Sequence, residues 1–387
     1  RGTASPDHVI RIKGRPLILK ESVWSRGRDA IKEELDKYAK EYKAMFERQA
    51  PKADQPKTML PTDPKNIWME GIGLIGLGAN AKAASIAGDL VVQNARVRAI
   101  GEDAGGFRPI SEKDLFDCEY WSLEQAKLGK GAPPKFQGKV VMITGGSGTI
   151  GFAIAEAFSK LGAQTILVDK DEIALKESVA KLGVGHKYFP IDVTHSDAAN
   201  QAMLAAINNF GGLDILISNA GAAHAGPMLG ISNEELRNAF ELNFFSHYSF
   251  STEAAKILKD QNRGGQILFN ISKQAVNPGK NFGAYGLPKA TTFFLMRQLA
   301  LELGSDGIRV NGINADRIRS GLLTDDFISS RAKSRGVSES EYMAGNLLNK
   351  EVTAEHVADA FTALACAEST TGHVMTVDGG NIEASLR

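Results

Sequence analysis

From Val140 onward the chain repeats one unit, a short apolar run rich in β-branched residues followed by an amphipathic stretch. The runs "KVVMIT" (139–144), "TILVD" (165–169), "LDILIS" (213–218), "GQILFNI" (265–271) and "IRVNGIN" (308–314) show little polar alternation. Strands covered on both faces of a sheet have that composition. Helical stretches at 150–161, 233–259 and 284–304 lie between them. Strand alternating with helix predicts an α/β fold, a doubly wound parallel sheet whose ligand crevice opens at the carboxyl ends of the strands.

That pattern accounts for only part of 387 residues. The length suits two domains of ~100–200 residues each. Residues 1–137 read differently, with a Lys/Glu-rich helix at 27–48, a Pro-containing linker at 50–66 and an Ala-rich amphipathic helix at 80–102. Gly and Pro in "GKGAPPKFQGK" (129–139) interrupt regular structure and predict a hinge, giving domains at 1–137 and 138–387. Lys plus Arg equals Asp plus Glu, 45 of each. No net field draws the chain to nucleic acid or an acidic membrane, so a small-molecule partner is expected. Cys118 and Cys366 are too few and too far apart for a disulfide framework or a thiolate cage, which fits the cytoplasm. No run reaches the ~20 apolar residues of a membrane span. The first residues lack the apolar core of a signal peptide and a starting Met, so the chain is expected to be part of a longer product.

The stretch "TGGSGTIG" (144–151) joins the first strand to a helix. Gly145, Gly148 and Gly151 let the backbone approach a pyrophosphate at the helix N-terminus, as in a Rossmann-like fold. The next strand ends at Asp169, eighteen residues after Gly151. A carboxylate there accepts hydrogen bonds from the adenosine ribose and repels a 2′-phosphate, which favours NAD over NADP. Lys170 softens that preference.

In "FGAYGLPKA", Tyr285 and Lys289 stand four residues apart, on one helix face. A tyrosine with a pKa near ~10 is a poor base at neutral pH, and an adjacent ammonium is expected to lower it. Tyr285 then exchanges a proton with a hydroxyl or carbonyl oxygen. Ser272, at the end of the strand "QILFNIS", is placed to orient that oxygen.

Together these motifs resemble the short-chain dehydrogenase/reductase family from Gln137 to Arg387. The resemblance implies an oxidoreductase with Asn243, Ser272, Tyr285 and Lys289 as its catalytic set. It assigns cofactor contacts to Ser147, Thr149 and Ile150 in the glycine turn, to Asp192 and Val193 in "IDVT", and to Asn219, Ala220 and Gly221 in "SNAG". Asn243 in "ELNFFSHY" would hold a proton-relay water, and Lys289 the nicotinamide ribose. "TVDGG" (376–380) resembles the closing strand and turn. Three features depart from the pattern. The glycines are spaced TGxxGxxG. Asn314, Ala315 and Asp316 replace Asn-Pro-Gly, although Ala315, Ile318 and Ser320 still match the nicotinamide side. Pro288 lies within the Tyr–Lys motif, which a helix tolerates if it starts near Ala284.

Residues 1–13 and 116–128 resemble the aldolase half of bifunctional class II aldolase/short-chain dehydrogenase proteins, so a smaller aldolase-like α/β remnant is expected first. His8 is the only histidine before His186, and no metal site is expected. The substrate end falls at 317–350. Ser338 and Glu341 have capping-box spacing, predicting a helix from about Glu339 that lays Tyr342, Met343 and Leu347 over the site. Arg317, Arg319, Arg331 and Arg335 either hold a substrate anion or form a solvated face, the latter favoured for the last two. His224 either borders the pocket or is a loop histidine without duty. The expected reaction is hydride exchange between NAD(H) and an alcohol or carbonyl of sugar, polyol or hydroxyaldehyde type. An NADPH-dependent ketone or acyl-derivative reductase and a non-catalytic cofactor-sensing module are the alternatives. The resemblance also implies a homodimer or homotetramer.

Overall fold

The structure, a computed structural model, describes residues 2–128, 132–223 and 225–381. It divides into two compact units, Arg1–Pro133 and Pro134–Arg387. The break precedes the expected 137/138 boundary because Phe136 packs into the second unit. Its ring lies 5.1 Å from that of Phe158, and its N–H donates to the Leu161 carbonyl at 2.8 Å.

In the first unit, α1 (Pro6–Ile12), β1 (Leu17–Leu19), α2 (Glu21–Trp24) and α3 (Arg28–Gln49) precede a hairpin of β2 (Asn66–Met69) and β3 (Gly73–Gly76). Then come α4 (Ala81–Asp103), α5 (Glu112–Glu119) and α6 (Ser122–Ala126). β1 pairs parallel to β2, and β2 antiparallel to β3. The long helices form where the Lys/Glu-rich and Ala-rich stretches predicted them. Asn80 caps α4 by accepting from the Ala83 N–H at 2.9 Å.

The second unit runs β4 (Val140–Thr144), α7 (Thr149–Lys160), β5 (Gln164–Asp169), α8 (Glu172–Leu182), β6 (Lys187–Pro190), α9 (Ala198–Phe210) and β7 (Ile215–Ser218). It continues through α10 (Asn233–Phe240), α11 (Ser246–Gln261), β8 (Gly265–Asn270), α12 (Gly283–Leu303) and β9 (Ile308–Ala315). It closes with α13 (Asp325–Arg335), α14 (Glu339–Met343), α15 (Ala354–Cys366) and β10 (Val374–Val377). The seven strands are parallel in the order β10-β9-β8-β7-β4-β5-β6. Side chains alternate between two cores. Val140 and Met142 face one layer of helices, and Val141 and Ile143 the other. Burying each such side chain contributes roughly 1.5–3 kcal/mol, which explains why these strands tolerate no polar alternation.

The order reverses between β4 and β7, so the crevice opens at their carboxyl ends. The short edge strand β6 was not expected, because "KYFP" is half-exposed and carries no apolar run. The stretch predicted as one helix at 233–259 is α10 and α11 joined by a wider π-helical turn at Glu241–Phe245. α12 begins at Gly283 and passes through Pro288, forgoing one intrahelical N–H donor.

Candidate active site

The glycine turn is shaped by close approaches. Gly145 has φ +64°, and a Cβ there would lie 3.0 Å from the Ala220 Cα. A Cβ on Gly151 would lie 2.1 Å from the Gly145 carbonyl oxygen, so only glycine lets α7 pack this tightly on the turn. Gly148 caps α7 without a side chain. The first N–H groups of this helix are therefore left to an anion. Asn219 ties the crevice together: its amide donates to the Thr144 carbonyl at 3.0 Å, and its side-chain oxygen accepts from Asn270 at 2.8 Å. Asp169 accepts from the Ser147 hydroxyl at 2.7 Å and from the Lys170 N–H at 2.8 Å, which fixes its carboxylate at the end of β5. Asp192 accepts from the Thr194 N–H and hydroxyl at 2.9 and 2.7 Å; these bonds hold its carboxyl below its ordinary value.

A cavity of about 1140 Å³ runs from this cradle to α12. Gly145, Gly148, Thr149, Ile150, Gly151, Asp169, Lys170, Asp192 and Val193 line one end, and Asn219, Ala220 and Gly221 the middle. Ser272, Tyr285, Lys289, Ala315, Ile318 and Ser320 line the rest. Two expected contacts do not line it. Ser147 is turned to Asp169, and Asn243 lies behind the wall, 1% exposed. The Asn243 amide donates to the Ala222 carbonyl at 2.9 Å and its oxygen accepts from the Ala222 N–H at 3.3 Å. Its own carbonyl accepts from the Thr292 hydroxyl at 2.7 Å. His224 lies outside the described residues.

Tyr285 and Lys289 are 8% and 2% exposed. Burial pushes the Tyr285 phenol up to about 12, against a smaller downward pull from its hydrogen bond with the Ser272 hydroxyl. Burial pushes the Lys289 ammonium down to about 7. The expectation that Lys289 lowers the phenol is thus corrected. In the protein alone desolvation governs both groups, because it penalises phenolate and ammonium alike. Lys289 Nζ donates to the Asn270 carbonyl at 3.0 Å and lies 3.4 Å from His247 Nε2. The other His247 nitrogen meets the Ser218 hydroxyl at 2.6 Å. Burial, then the Lys289 charge, holds the His247 imidazole well below its ordinary value.

Sequence reasoning missed His247. The available signal was its position four residues after Asn243, on the helical face turned to the same wall.

At the substrate end the capping box forms: the Ser338 hydroxyl accepts from the Glu341 N–H, and Glu341 accepts from the Ser338 N–H at 2.8 Å. Of the three residues expected over the site, only Tyr342 lines the cavity. Met343 is buried in a small core with Leu323 and Ile328. Leu347 is 71% exposed, because the helix ends at Met343 before reaching it. Arg317 reaches Asp316 and the Tyr342 carbonyl. Arg319 reaches Glu351 at 2.8 Å and Asp325 at 2.6 Å. Arg331 and Arg335 both line the cavity; Arg331 is half-buried, against the solvated reading, whereas Arg335 is exposed, as that reading expected.

The fit to a dinucleotide rests on this geometry. A backbone cradle that added Cβ atoms would fill leads to buried Tyr285 and Lys289 beside half-buried Ser272, with a carboxylate at the end of β5.

Comparison with known proteins gives the same division. Residues 1–128 match the family described as aldolase class II, second domain. Residues 146–381 match the family described as enoyl-(acyl carrier protein) reductase. The uncharacterized oxidoreductase YuxG of Bacillus subtilis is 32% identical over 98% of this chain, and the chain spans 57% of that relative's length. Secoisolariciresinol dehydrogenase of Forsythia intermedia is 30% identical over 64% of this chain and 90% of its own. Among solved structures, L-sorbose reductase from Gluconobacter frateurii, complexed with NADPH and L-sorbose, aligns with a TM-score of 0.59 and 28% identity. The match covers 64% of this chain and 98% of that one. The 3-ketoacyl-(acyl-carrier-protein) reductase from Brucella melitensis, complexed with NADH, aligns with a TM-score of 0.56 and 25% identity over 63% of this chain and 98% of its own.

Proposed function

The chain belongs to the short-chain dehydrogenase/reductase family, and we propose that its second unit interconverts an alcohol and a carbonyl of sugar, polyol or hydroxyaldehyde type, using NAD(H). The observation that carries this reading is the Ser272 hydroxyl hydrogen-bonded to the Tyr285 phenol, in a cavity that also reaches the glycine cradle. Bound at that cradle, a nicotinamide cofactor supplies or accepts the hydride. The protein's residues handle the proton. With its pKa near 12, Tyr285 keeps its proton at neutral pH and is poised to give it to a carbonyl oxygen. In the reverse direction the phenolate takes the proton from the hydroxyl, and the hydrogen bond from Ser272 favours that form. Ser272 would hold the reacting oxygen, and Lys289 would offer its remaining N–H groups to the cofactor's ribose. The Asn243 amide locks Ala222, and the Asn243 main-chain carbonyl, which accepts from Thr292, would be the acceptor for a relay water.

Asp169 supports NAD over NADP, since a carboxylate at the end of β5 would repel a 2′-phosphate. One observation favours the other reading, an NADPH-dependent reductase: Lys170 is exposed beside it and lines the same cavity. Exposed Phe294 and Leu301 on α12, 67% and 82%, support self-association as a dimer or tetramer.

The test is NADH formation on a panel of hydroxyaldehydes, deoxy sugars and polyols by wild type and Tyr285→Phe, with binding of NAD and NADP measured in parallel. Turnover by wild type alone, with both proteins binding NAD, is expected. A wild-type rate in Tyr285→Phe would overturn the assignment, and tight cofactor binding without turnover on any carbonyl would leave a sensing module.

A further inference from the structure

The four arginines at the substrate end are not equivalent. Arg319 is neutralised within the protein by Glu351 and Asp325, and Arg317 pairs with Asp316, a carboxylate it shares with Lys273. Arg331 and Arg335 pair with no carboxylate among the described residues. Arg331 is half-buried, and its Nε is shut off from solvent and donates to no acceptor. A guanidinium carries five N–H donors and keeps its charge; a donor closed to solvent is equally closed to a ligand, so an anion in the cavity would be met by the terminal N–H groups of Arg331.

Its surroundings are built. The guanidinium lies 5.8 Å from the Phe282 ring centroid and 5.9 Å from that of Phe327, and the two rings meet edge to face at 5.9 Å. An aromatic pair of this kind orients a guanidinium while keeping water off its flanks. Phe282 immediately precedes α12, and its carbonyl accepts from the Tyr285 N–H at 3.1 Å. The platform under Arg331 is therefore three residues from the phenol, and both line one cavity.

Charge points the same way. Beyond Ser272 the cavity wall includes Lys273, Lys280, Lys289, Arg317, Arg331 and Arg335, and among the described residues Asp316 is the one carboxylate there. Asp316 is already engaged by Lys273 at 2.7 Å and by Arg317. On α13 itself, Asp325 is taken by Arg319, and Asp326, five residues before Arg331, lies off its face.

We infer that the substrate carries an anionic group, a carboxylate or a phosphate, that docks on Arg331 with Arg335 at the rim while the reacting carbon sits at Tyr285. This rests on the dehydrogenase reading above and narrows its substrate class. A guanidinium forks onto either group, so both share the same chemistry at this end.

The experiment compares kcat/KM for hydroxy compounds ending in a carboxylate or a phosphate with that for neutral amide or alcohol analogues of equal length. Wild type, Arg331→Gln and Arg331→Lys are measured. Wild type is expected to favour one anionic series, which identifies the group. Arg331→Gln should lower the anionic-to-neutral ratio roughly 10- to 100-fold, through KM, and the lysine variant less. In parallel, binding of inorganic phosphate and of acetate is followed by calorimetry with the cofactor saturating, so that the glycine cradle is filled. Anion binding that weakens in Arg331→Gln supports the inference even if no alcohol is turned over, an outcome that would sink the dehydrogenase reading alone. An anionic-to-neutral ratio near one in wild type, a ratio unchanged in Arg331→Gln, or anion binding indifferent to Arg331 overturns it.

Discussion

Each unit buries a cluster of ionisable side chains, and the two clusters look alike until their donors are followed. In the first unit, burial pushes Lys13 down to about 8 and Tyr42 upward, and Glu119 is raised by the same cause. In the second, burial pushes Lys289 down to about 7 and Tyr285 up to about 12. The first cluster closes on itself. The Tyr42 hydroxyl donates to Glu119 at 2.9 Å and meets the Tyr120 hydroxyl at 2.8 Å, which accepts from the Leu60 N–H at 3.2 Å. Lys13 is held by the Pro61 carbonyl and lies 3.7 Å from the Tyr42 ring centroid. The second cluster opens into a cavity bounded by a backbone anion cradle. Shifted ionisation alone therefore marks structural and functional clusters equally. What separates them is whether polar atoms remain aimed at a space a ligand can enter.

The comparison breaks most readily at Lys289. Lys289→Met should lower kcat by ~10²- to 10⁴-fold, the range for losing proton-transfer assistance, measured as initial NADH formation. A loss under tenfold would put the cluster on the structural side. Tyr42→Phe should do the converse. Removing hydrogen bonds to Glu119 and Tyr120 should cost ~1–3 kcal/mol in urea unfolding of the first unit while leaving turnover within about twofold. A large fall in kcat would contradict the division of labour.

Asp169→Ala should narrow the NAD-over-NADP preference by roughly tenfold, equal to ~1.4 kcal/mol, read from the ratio of the two dissociation constants. An unchanged ratio would place cofactor choice elsewhere.

The remaining effects are in pH dependence. Lys289 titrates near 7 in the folded protein against 10.5 for its ordinary value, so the folded state binds fewer protons between those limits. Stability of the second unit should rise with pH across that window, with a limiting slope of ~1.4 kcal/mol per pH unit that Lys289→Met removes. Lys13 gives the first unit the same sign from about 8 upward. His247, held below its ordinary value, adds stability that is lost as pH falls below about 6.5. Thermal melts of wild type, Lys289→Met and His247→Gln across pH 5–10 would show which slope each residue carries.

Much of this was legible in the sequence, for physical reasons. A strand buried on both faces must be apolar throughout, so β4, β5, β7, β8 and β9 announced themselves. A backbone cradle requires glycine, and a tyrosine and lysine four residues apart share a helix face. An edge strand needs no such run, so β6 was silent. The contact of His247 with Lys289 depends on α11 and α12 sharing a wall, which no local pattern encodes. Desolvation of Tyr285 likewise depends on the completed cavity, and for that reason its direction was misjudged. Arg319 and Arg331 look the same in sequence, and only the placement of Glu351, Asp325, Phe282 and Phe327 distinguishes them.

The central claim, that the cluster open to the cavity performs the chemistry, is tested most directly by the initial rate of NADH formation by Tyr285→Phe at saturating NAD, normalised to bound cofactor. The account predicts a loss of ~10³-fold or more with NAD affinity within about threefold of wild type. A rate within tenfold of wild type would contradict it.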